Sequence, residues 1–240
     1  MKKILLLLLL LPILFSCNPH QNNTESTETL SQEENLQDIQ ISADKESQDI
    51  ISPLATENFL SPFDNFSWAR ESDIEYILIH FTSDVMQNPD SPYNVDKNKQ
   101  IFIDAEVSVH YLIDRDGNIH CLIPENYTAW HAGKGTFKND EKYTNAMNKY
   151  SIGIELLAIG SENDMSIYLT PEQYRKIDEN LKGYTDSQYI SLKKLLQDIC
   201  QRNSIPYSRE NIIGHQEYNP LKNDPGELFD WNMLFEQPFN

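Results

Sequence analysis

Two short apolar runs in this sequence each end in a histidine, and an aspartate follows the second. The first run covers residues 74–79 and ends at His80, and the second, residues 212–214, leads into His215. Asp224 comes shortly afterwards. Two imidazoles and one carboxylate are ligands that suit Zn²⁺, and three protein ligands leave the open position that distinguishes catalytic from structural zinc. A fold that gathers these three distant residues would therefore favour a metal-dependent hydrolase.

The chain as a whole has the pattern of strands mixed with helices. Residues 74–80 and 107–113 alternate and are rich in β-branched side chains, which predicts two strands. Asp116-Gly117 then predicts a hairpin that leads into residues 118–123. The apolar run 151–158 is typical of a largely buried strand, and it carries one acid, Glu155.

Two helix starts follow that strand. Thr170 and Thr185 each precede a glutamine at the third helical position, which predicts a capping box at both sites. The second helix has an apolar face and ends before Ile205-Pro206; that face comprises Ile190, Leu192, Leu195, Leu196 and Ile199. Residues 170–183 resemble an insertion to which the sequence assigns no function. We therefore expect a mixed α/β fold, with a central, mostly β-sheet flanked by helices.

The N-terminus has the features of a bacterial export signal. Lys2-Lys3 precedes the apolar block 4–15, which is shorter than the ~20 residues that a membrane-spanning helix needs. The block ends in Leu14-Phe15-Ser16-Cys17, which resembles a lipobox. We expect lipid on Cys17. The lipid would anchor the protein in the cell envelope, at the outer membrane. The alternative is an ordinary secretory signal with an incidental cysteine.

Composition divides the rest of the chain in two. Residues 18–60 are rich in Asn, Gln, Ser, Thr and Glu, which is typical of a disordered acidic tether. Residues 61–240 have the length of one catalytic domain, after a signal peptide at residues 1–17. The formal net charge of -18 argues against nucleic acid as a partner. Since no pattern indicates oligomerisation, a monomer is expected.

Two further cysteines leave a question open. Cys121 belongs to a strand-like run and Cys200 to a helix-like run. Both are either core residues or partners in a disulfide, which an extracytoplasmic compartment would permit.

The order of short motifs along residues 80–226 resembles that of the zinc N-acetylmuramoyl-L-alanine amidases. The resemblance implies the fold of the phage amidase lysozymes and peptidoglycan-recognition proteins, and residues 107–155 are most similar to the outer-membrane lipoprotein amidases. The motifs are Ile79-His80-Phe81-Thr82, residues 107–113, Trp130-His131-Ala132-Gly133, Ser151-Ile152-Gly153-Ile154-Glu155, Gly214-His215 and Lys222-Asn223-Asp224-Pro225-Gly226.

The resemblance also implies roles for individual residues. It makes His80, His215 and Asp224 the zinc ligands, and Glu155 and Lys222 the catalytic residues. Glu155 is suited to take a proton from water and pass it to the leaving amine. Lys222 would place positive charge where the oxyanion develops. Trp130, His131 and His110 are assigned to substrate binding, and a purely structural role is the alternative for the two histidines.

The implied reaction is hydrolysis of the amide bond between N-acetylmuramic acid and L-alanine, in peptidoglycan or in soluble muropeptides. Such a reaction would serve cell-wall turnover or recycling. A peptidoglycan-binding module without activity is the alternative from another class, and a missing metal ligand would favour it. A metal hydrolase acting on another amide is a third hypothesis.

Overall fold

A six-stranded mixed sheet forms the centre of the fold in the computed structural model, which describes residues 48–60 and 65–235. Its strand order is β1-β5-β4-β7-β3-β8, and β2 pairs with β6 in a separate antiparallel ribbon. The strands are β1 Thr56–Glu57, β2 Ser67–Ala69, β3 Tyr76–Thr82, β4 Tyr111–Ile113, β5 Ile119–Cys121, β6 Tyr127–Ala129, β7 Ser151–Leu157 and β8 Ile212–Gly214. The mixed α/β class is confirmed. Of the predicted strand 107–113, only Tyr111–Ile113 is regular, and it pairs with β5 across the predicted hairpin.

Helices pack against the sheet and lie in the segments that connect its strands. They are α1 Val95–Asp104, α2 Pro171–Arg175, α3 Asp186–Asn203, α4 His215–Tyr218 and α5 Asn232–Phe235. Short 3-10 segments lie at Glu141–Tyr143, Met147–Tyr150, Asp164–Ile167 and Glu179–Leu181. Both predicted capping boxes form, at Thr170 and at Thr185.

The longest of these helices, α3, packs on one face of the sheet. Its buried aliphatic residues share a core with Ile77 and Ile79 of β3 and with alternate residues of β7; they are Leu192, Leu195, Leu196 and Ile199. The inclusion of Ile190 in this face was wrong, because its side chain is 56% exposed. About 200° of helical rotation separates residues two apart, which places Ile190 opposite Leu192.

The domain begins earlier in the chain than its composition predicts. Residues up to 60 were assigned to the tether, but the compact unit starts at Asp49. β1 pairs with β5, the Asn58 N–H donates to the Cys121 carbonyl at 3.0 Å, and Leu60 is fully buried. A few apolar residues in a polar background anchor this segment, and window composition does not detect them.

Two other features of the described residues bear on the predictions. Cys121 and Cys200 are unbonded and buried in the same core, so the core alternative is the one observed. Within residues 48–60 and 65–235, no helix combines the length and apolar character needed to cross a bilayer. The signal, Cys17 and most of the proposed tether lie outside the described residues.

Candidate active site

The register of three parallel strands brings the predicted residues together at one edge of the sheet. β3 lies between β7 and β8 and is parallel to both. His80 is paired with Glu155, and Ile79 is paired with Gly214, the residue before His215. The carboxyl ends of parallel strands meet at the same edge, where ligands commonly bind in α/β folds. The strand pairing therefore assembles a site from segments that are far apart in sequence.

Three candidate ligand atoms converge at this edge. His80 Nδ1 lies 3.0 Å from His215 Nδ1 and 2.7 Å from Asp224 Oδ2. His215 Nδ1 lies 2.9 Å from the same carboxylate oxygen. These separations are somewhat shorter than the ~3.3 Å expected between ligand atoms bound tetrahedrally at about 2.0–2.1 Å from zinc. The trio has the composition and compactness of a metal site.

The loop that carries Asp224 is held against the helix that begins with His215. The Gln216 N–H donates to the Asp224 carbonyl at 3.1 Å. Gly226 follows with a φ of +81°, and a Cβ at that position would lie 2.4 Å from Asp164 Oδ2. Glycine is therefore required both for the backbone conformation and for the close approach of Asp164.

Hydrogen bonding fixes the tautomer of His215. Its Nε2 lies 2.9 Å from the Ala132 carbonyl oxygen, which can only accept. We therefore assign the ring proton to Nε2, which leaves the lone pair of Nδ1 directed toward Asp224. A backbone carbonyl that orients a ligating histidine in this way is common around protein metal ions.

A longer chain of hydrogen bonds fixes the tautomer of His80. The Ser151 hydroxyl donates its only hydrogen to the Met147 carbonyl at 2.7 Å, so it must accept from His131 Nε2 at 3.3 Å. His131 Nδ1 then carries a lone pair, which accepts from His80 Nε2 at 3.0 Å. His80 Nδ1 consequently also presents a lone pair to the site. We refer to Ser151, His131 and His80 as the relay.

With these tautomers, two imidazole lone pairs and a carboxylate oxygen face one another. Three acceptors at such short range repel unless a cation lies between them. Burial and then the His215 ring lower the pKa of His80 to about 4, although Asp224 opposes both effects. The donor set therefore fits a divalent metal ion.

Glu155 lies beside this trio without a hydrogen-bonding partner for one of its oxygens. Its Oε2 is buried and contacts no donor among the described residues. Burial, reinforced by the negative charge of Asp224, raises the pKa of Glu155 well above its ordinary value, and Lys222 opposes the shift. A buried carboxylate of this kind is costly, and perturbed groups concentrate at functional sites.

Lys222 lies on the solvent side of the site. The residue is exposed, and it lines the same cleft as Asp224. Its backbone N–H donates to the Asn219 carbonyl at 3.0 Å, which fixes the turn before Asp224. The structure therefore places Glu155 and Lys222 near the trio; Glu155 is half-buried with its Oε2 covered, and Lys222 is exposed.

Two histidines assigned to substrate binding have other surroundings. His110 is fully buried, with Nδ1 accepting from the Gly153 N–H at 3.0 Å and Nε2 lying 3.1 Å from the Tyr127 carbonyl. A side chain without exposed surface cannot contact a substrate, so this placement favours the structural alternative. His131 uses both ring nitrogens within the relay and so supports His80. Its contact with substrate stays a prediction, because the side chain is only partly buried.

Trp130, the third predicted substrate residue, is half-buried beside Trp68. The two ring centroids lie 5.8 Å apart. The indole Nε1 of Trp130 has no hydrogen-bond partner among the described residues. Its contact with substrate stays a prediction.

Sequence reasoning missed the supports of these ligands. Asn148 Oδ1 accepts from the backbone N–H groups of His131 at 3.1 Å and Ala132 at 2.8 Å, which fixes the loop that contacts His80 and His215, the two candidate ligands. Ser151 could have been found from the sequence, because alternate residues of a strand share a face. That rule places Ser151 on the same face as Glu155.

Comparison with known proteins agrees with this geometry. Residues 70–227 match the N-acetylmuramoyl-L-alanine amidase family. The chain is 32% identical over 126 residues to the 1,6-anhydro-N-acetylmuramyl-L-alanine amidase AmpD of Haemophilus influenzae, which covers 52% of this chain and 55% of that protein. It is 30% identical over 173 residues to the N-acetylmuramoyl-L-alanine amidase AmiD of Escherichia coli, which covers 68% of this chain and 53% of that protein.

Solved structures show the same fold. A selenomethionine derivative of AmpD superimposes with a TM-score of 0.52 at 25% identity, covering 77% of this chain and 96% of that one. E. coli AmiD, in complex with the substrate anhydro-N-acetylmuramic acid-L-Ala-D-γ-Glu-L-Lys, gives 0.50 at 28% identity, covering 69% and 58%. The chain spans about half the length of the curated relatives it matches. From the match over residues 70–227, the chain belongs to the N-acetylmuramoyl-L-alanine amidase family.

Proposed function

We propose that this protein hydrolyses the amide bond between N-acetylmuramic acid and L-alanine in peptidoglycan or muropeptides, with zinc as its metal. The observation that carries the proposal is the convergence of His80 Nδ1, His215 Nδ1 and Asp224 Oδ2 within 3.0 Å of one another. Imidazole and carboxylate ligands in a set of three are typical of catalytic zinc. The related AmpD and AmiD proteins, by their names, act on this bond.

The chain's own residues then account for the proton transfers. Zinc, when bound, would polarise the amide carbonyl and lower the pKa of water. Glu155, held next to His80 by the strand pairing, would accept a proton from the attacking water. As the C–N bond breaks, Glu155 would return that proton to the amine nitrogen of L-alanine. Lys222 would stabilise the negative charge that develops on the carbonyl oxygen.

The direct test is to incubate the purified chain, from Asp49 onward, with muropeptides in the presence of zinc. We expect mass analysis to show an intact stem peptide that begins with L-alanine, together with a peptide-free sugar product in which the lactyl carboxylate of N-acetylmuramic acid is free. Removal of the metal by a chelator should abolish release, and added zinc should restore it. Full activity after verified metal removal would contradict the proposal.

A peptidoglycan-binding module without activity is the second candidate. Such a module has no need of a metal ligand trio, or of a buried carboxylate that lacks a hydrogen-bonding partner. The same incubation separates the two, because a module would retain muropeptide without releasing peptide. Cleavage of simple N-acyl amino acids as fast as of muropeptides would instead favour a general amide hydrolase.

We also propose that lipid on Cys17 anchors the domain to the cell envelope, at the outer membrane. The apolar block 4–15 and the motif Leu14-Phe15-Ser16-Cys17 support this proposal. The full-length chain should incorporate a fatty-acid label and fractionate with outer membranes. Cys17→Ser should lose the label, and a label that persists in this variant would contradict the assignment.

A further inference from the structure

A cleft of about 250 Å³ opens beside the metal ligands. Its lining comes from β3 and the loop after it, from the segment 164–168, and from residues 222–224, which include Asp224. The proposed reaction uses Lys222 and Asp224 of this lining and gives no role to the remainder. The contact of the cleft with a metal ligand makes it continuous with the site of chemistry.

The rim of the cleft exposes three large side chains with apolar surfaces. Met86 is 58% exposed, Ile167 is 65% exposed and Tyr168 is 47% exposed. Single exposed apolar residues are ordinary, but a cluster around one concavity is typical of a ligand site. The buried Val85 and Met165 form its base, so the cleft has an apolar floor as well as an apolar rim.

The wall that carries Tyr168 is fixed to the loop that carries the metal ligand. Asp164 Oδ2 accepts from the Ser161 N–H at 2.9 Å and from the Glu227 N–H at 3.0 Å. The Asn223 side chain donates to the Asp164 carbonyl at 3.3 Å. Two of these bonds join the segment that carries Ile167 and Tyr168 to the loop 223–227, so both residues have a defined position relative to Asp224.

Tyr168 is oriented so that its phenol experiences the charges of the site. Burial, and then the carboxylates of Asp224 and Glu155, raise the pKa of Tyr168 above its ordinary value. The hydroxyl is therefore neutral at physiological pH and lies within electrostatic range of both acids. A tyrosine so placed offers a flat apolar face together with a hydrogen-bonding tip.

Charge indicates which side of the scissile bond the cleft accommodates. Among its described lining residues, Lys222 is the one cation, whereas Asp164 and Asp224 are acids. A stem peptide with γ-linked glutamate carries free carboxylates, and the exposed Met86, Ile167 and Tyr168 offer them no cationic partner. The muramoyl side presents a neutral sugar ring with an acetamido methyl and a lactyl methyl. Apolar walls with few cations therefore complement the sugar rather than the peptide.

We infer that this cleft binds the N-acetylmuramoyl side of the scissile bond, with Tyr168 and Ile167 as substrate-positioning residues. The inference rests on the proposed function. It assigns the subsite for the sugar to residues 164–168, which follow β7 in the chain. Tyr168 acts through its ring, which packs against the sugar, and the segment 164–168 contributes to specificity.

The test compares two substrates that differ only in the sugar. One is a muramoyl peptide, and the other is the same peptide carrying a lactyl group without the ring. Tyr168→Ala and Ile167→Ala should each raise KM for the muramoyl peptide about ten-fold, through lost apolar contact. KM for the lactyl peptide should rise much less, and Tyr168→Phe, which keeps the ring, should raise KM for the muramoyl peptide less than Tyr168→Ala does.

Ile190→Ala is the matched control, because Ile190 is a similarly exposed residue on the outer face of α3. It should leave both substrates unaffected. Equal losses on the two substrates would overturn the inference, as would the absence of any loss. Thermal unfolding and metal content of each variant identify a change that acts through folding, and Ile167→Ala provides an independent reading if Tyr168→Ala is unstable.

Failure of the proposed function can be told apart from failure of this inference. If the unaltered chain cleaves neither substrate, the proposed function fails. Equilibrium binding of N-acetylmuramic acid alone then tests the cleft. Binding that weakens in Tyr168→Ala supports the subsite, whereas undetectable binding, or equal binding in the two proteins, overturns it.

Discussion

The position of one proton on each imidazole decides whether the three candidate ligands can bind a metal ion. His215 Nε2–H donates to the Ala132 carbonyl oxygen, and His80 Nε2–H donates to His131 Nδ1. Both Nδ1 lone pairs therefore face Asp224. The residue types are evident in the sequence, but the tautomers depend on partners from other segments.

The relay predicts that His131 supports metal binding without being a ligand. His131→Ala removes the acceptor that orients His80, so metal affinity should fall about 10–100-fold. Competition with a chelator of known affinity measures this effect. His120→Ala is the control, because that ring contacts Asp114 and Asn58, away from the relay. Unchanged affinity in His131→Ala would show that His80 needs no such support.

Glu155→Gln should separate catalysis from metal binding. The amide cannot accept the water proton, so turnover should fall by about 10²–10⁴-fold while the metal is retained. Release of peptide is measured beside metal content. A variant that keeps its rate would remove Glu155 from the mechanism.

The same substitution should stabilise the metal-free protein above the ordinary carboxyl pKa. Since the folded-state pKa of Glu155 is raised, the unfolded chain loses this proton first as pH rises. As pH rises from the pKa of Glu155 in the unfolded chain to its pKa in the folded protein, the stability that the protonated carboxyl contributed is lost. Gln is neutral throughout, so thermal unfolding at pH 7 should show a gain of about 1–3 kcal/mol over the unaltered chain. At pH 4 the two proteins should differ little, and a gain at both pH values would point to another cause.

At the scale of elements, strand β7 serves the core with one face and the site with the other. Ile152, Ile154 and Leu156 pack beneath α3. The alternate residues face the site. Ser151 is the last member of the relay, Gly153 leaves space for the His131 ring, and Glu155 is the predicted catalytic residue. A Cβ on Gly153 would lie 2.5 Å from His131 Cγ, so glycine is required where the ring crosses the strand.

Gly153→Ala should therefore disturb stability and metal binding together. Displacement of the His131 ring would cost about 1–3 kcal/mol, and His80 would lose its partner. Thr185→Ala is the matched control, because it removes the N-cap of α3 at a cost of about 1 kcal/mol without contacting the relay. Thermal unfolding and chelator competition should show both effects in the first variant and only the loss of stability in the second. Equal metal affinity in the two variants would contradict the assigned role of Gly153.

At the scale of the whole molecule, a network beneath the sheet joins the N-terminal segment to α3. The Arg202 guanidinium donates to both oxygens of buried Glu125 at 2.7 Å. Tyr111 donates to the same carboxylate and accepts from the Ser52 N–H at 2.9 Å. The Glu125 N–H donates to the Ile50 carbonyl at 2.8 Å. Residues 49–60 are therefore part of the folded unit.

A chain that begins at Asp49 should consequently be more stable than one that begins at residue 61. The shorter chain loses the pairing of β1 with β5 and the burial of Leu60, of which Leu60 alone contributes about 1.5–3 kcal/mol. Denaturant unfolding of the two proteins measures the difference. Equal denaturation midpoints would show that residues 49–60 belong to the tether and not to the domain.

The sequence by itself determined the features that depend on neighbouring residues. The strand patterns around His80 and Glu155, the hairpin at Asp116-Gly117 and the capping boxes at Thr170 and Thr185 were predictable, because each depends on interactions within a few positions. The candidate ligand residues were predicted from short motifs in a fixed order.

Only the tertiary structure decided which strands pair, and therefore what each site residue contacts. An alternating pattern shows that a strand has two faces, but it does not identify the strand beside it. For that reason the burial of His110, the start of the domain at Asp49 and the cleft beside Tyr168 were not foreseen. Each of these depends on contacts between segments far apart in the chain, whose free energy becomes available only when the whole sheet has formed.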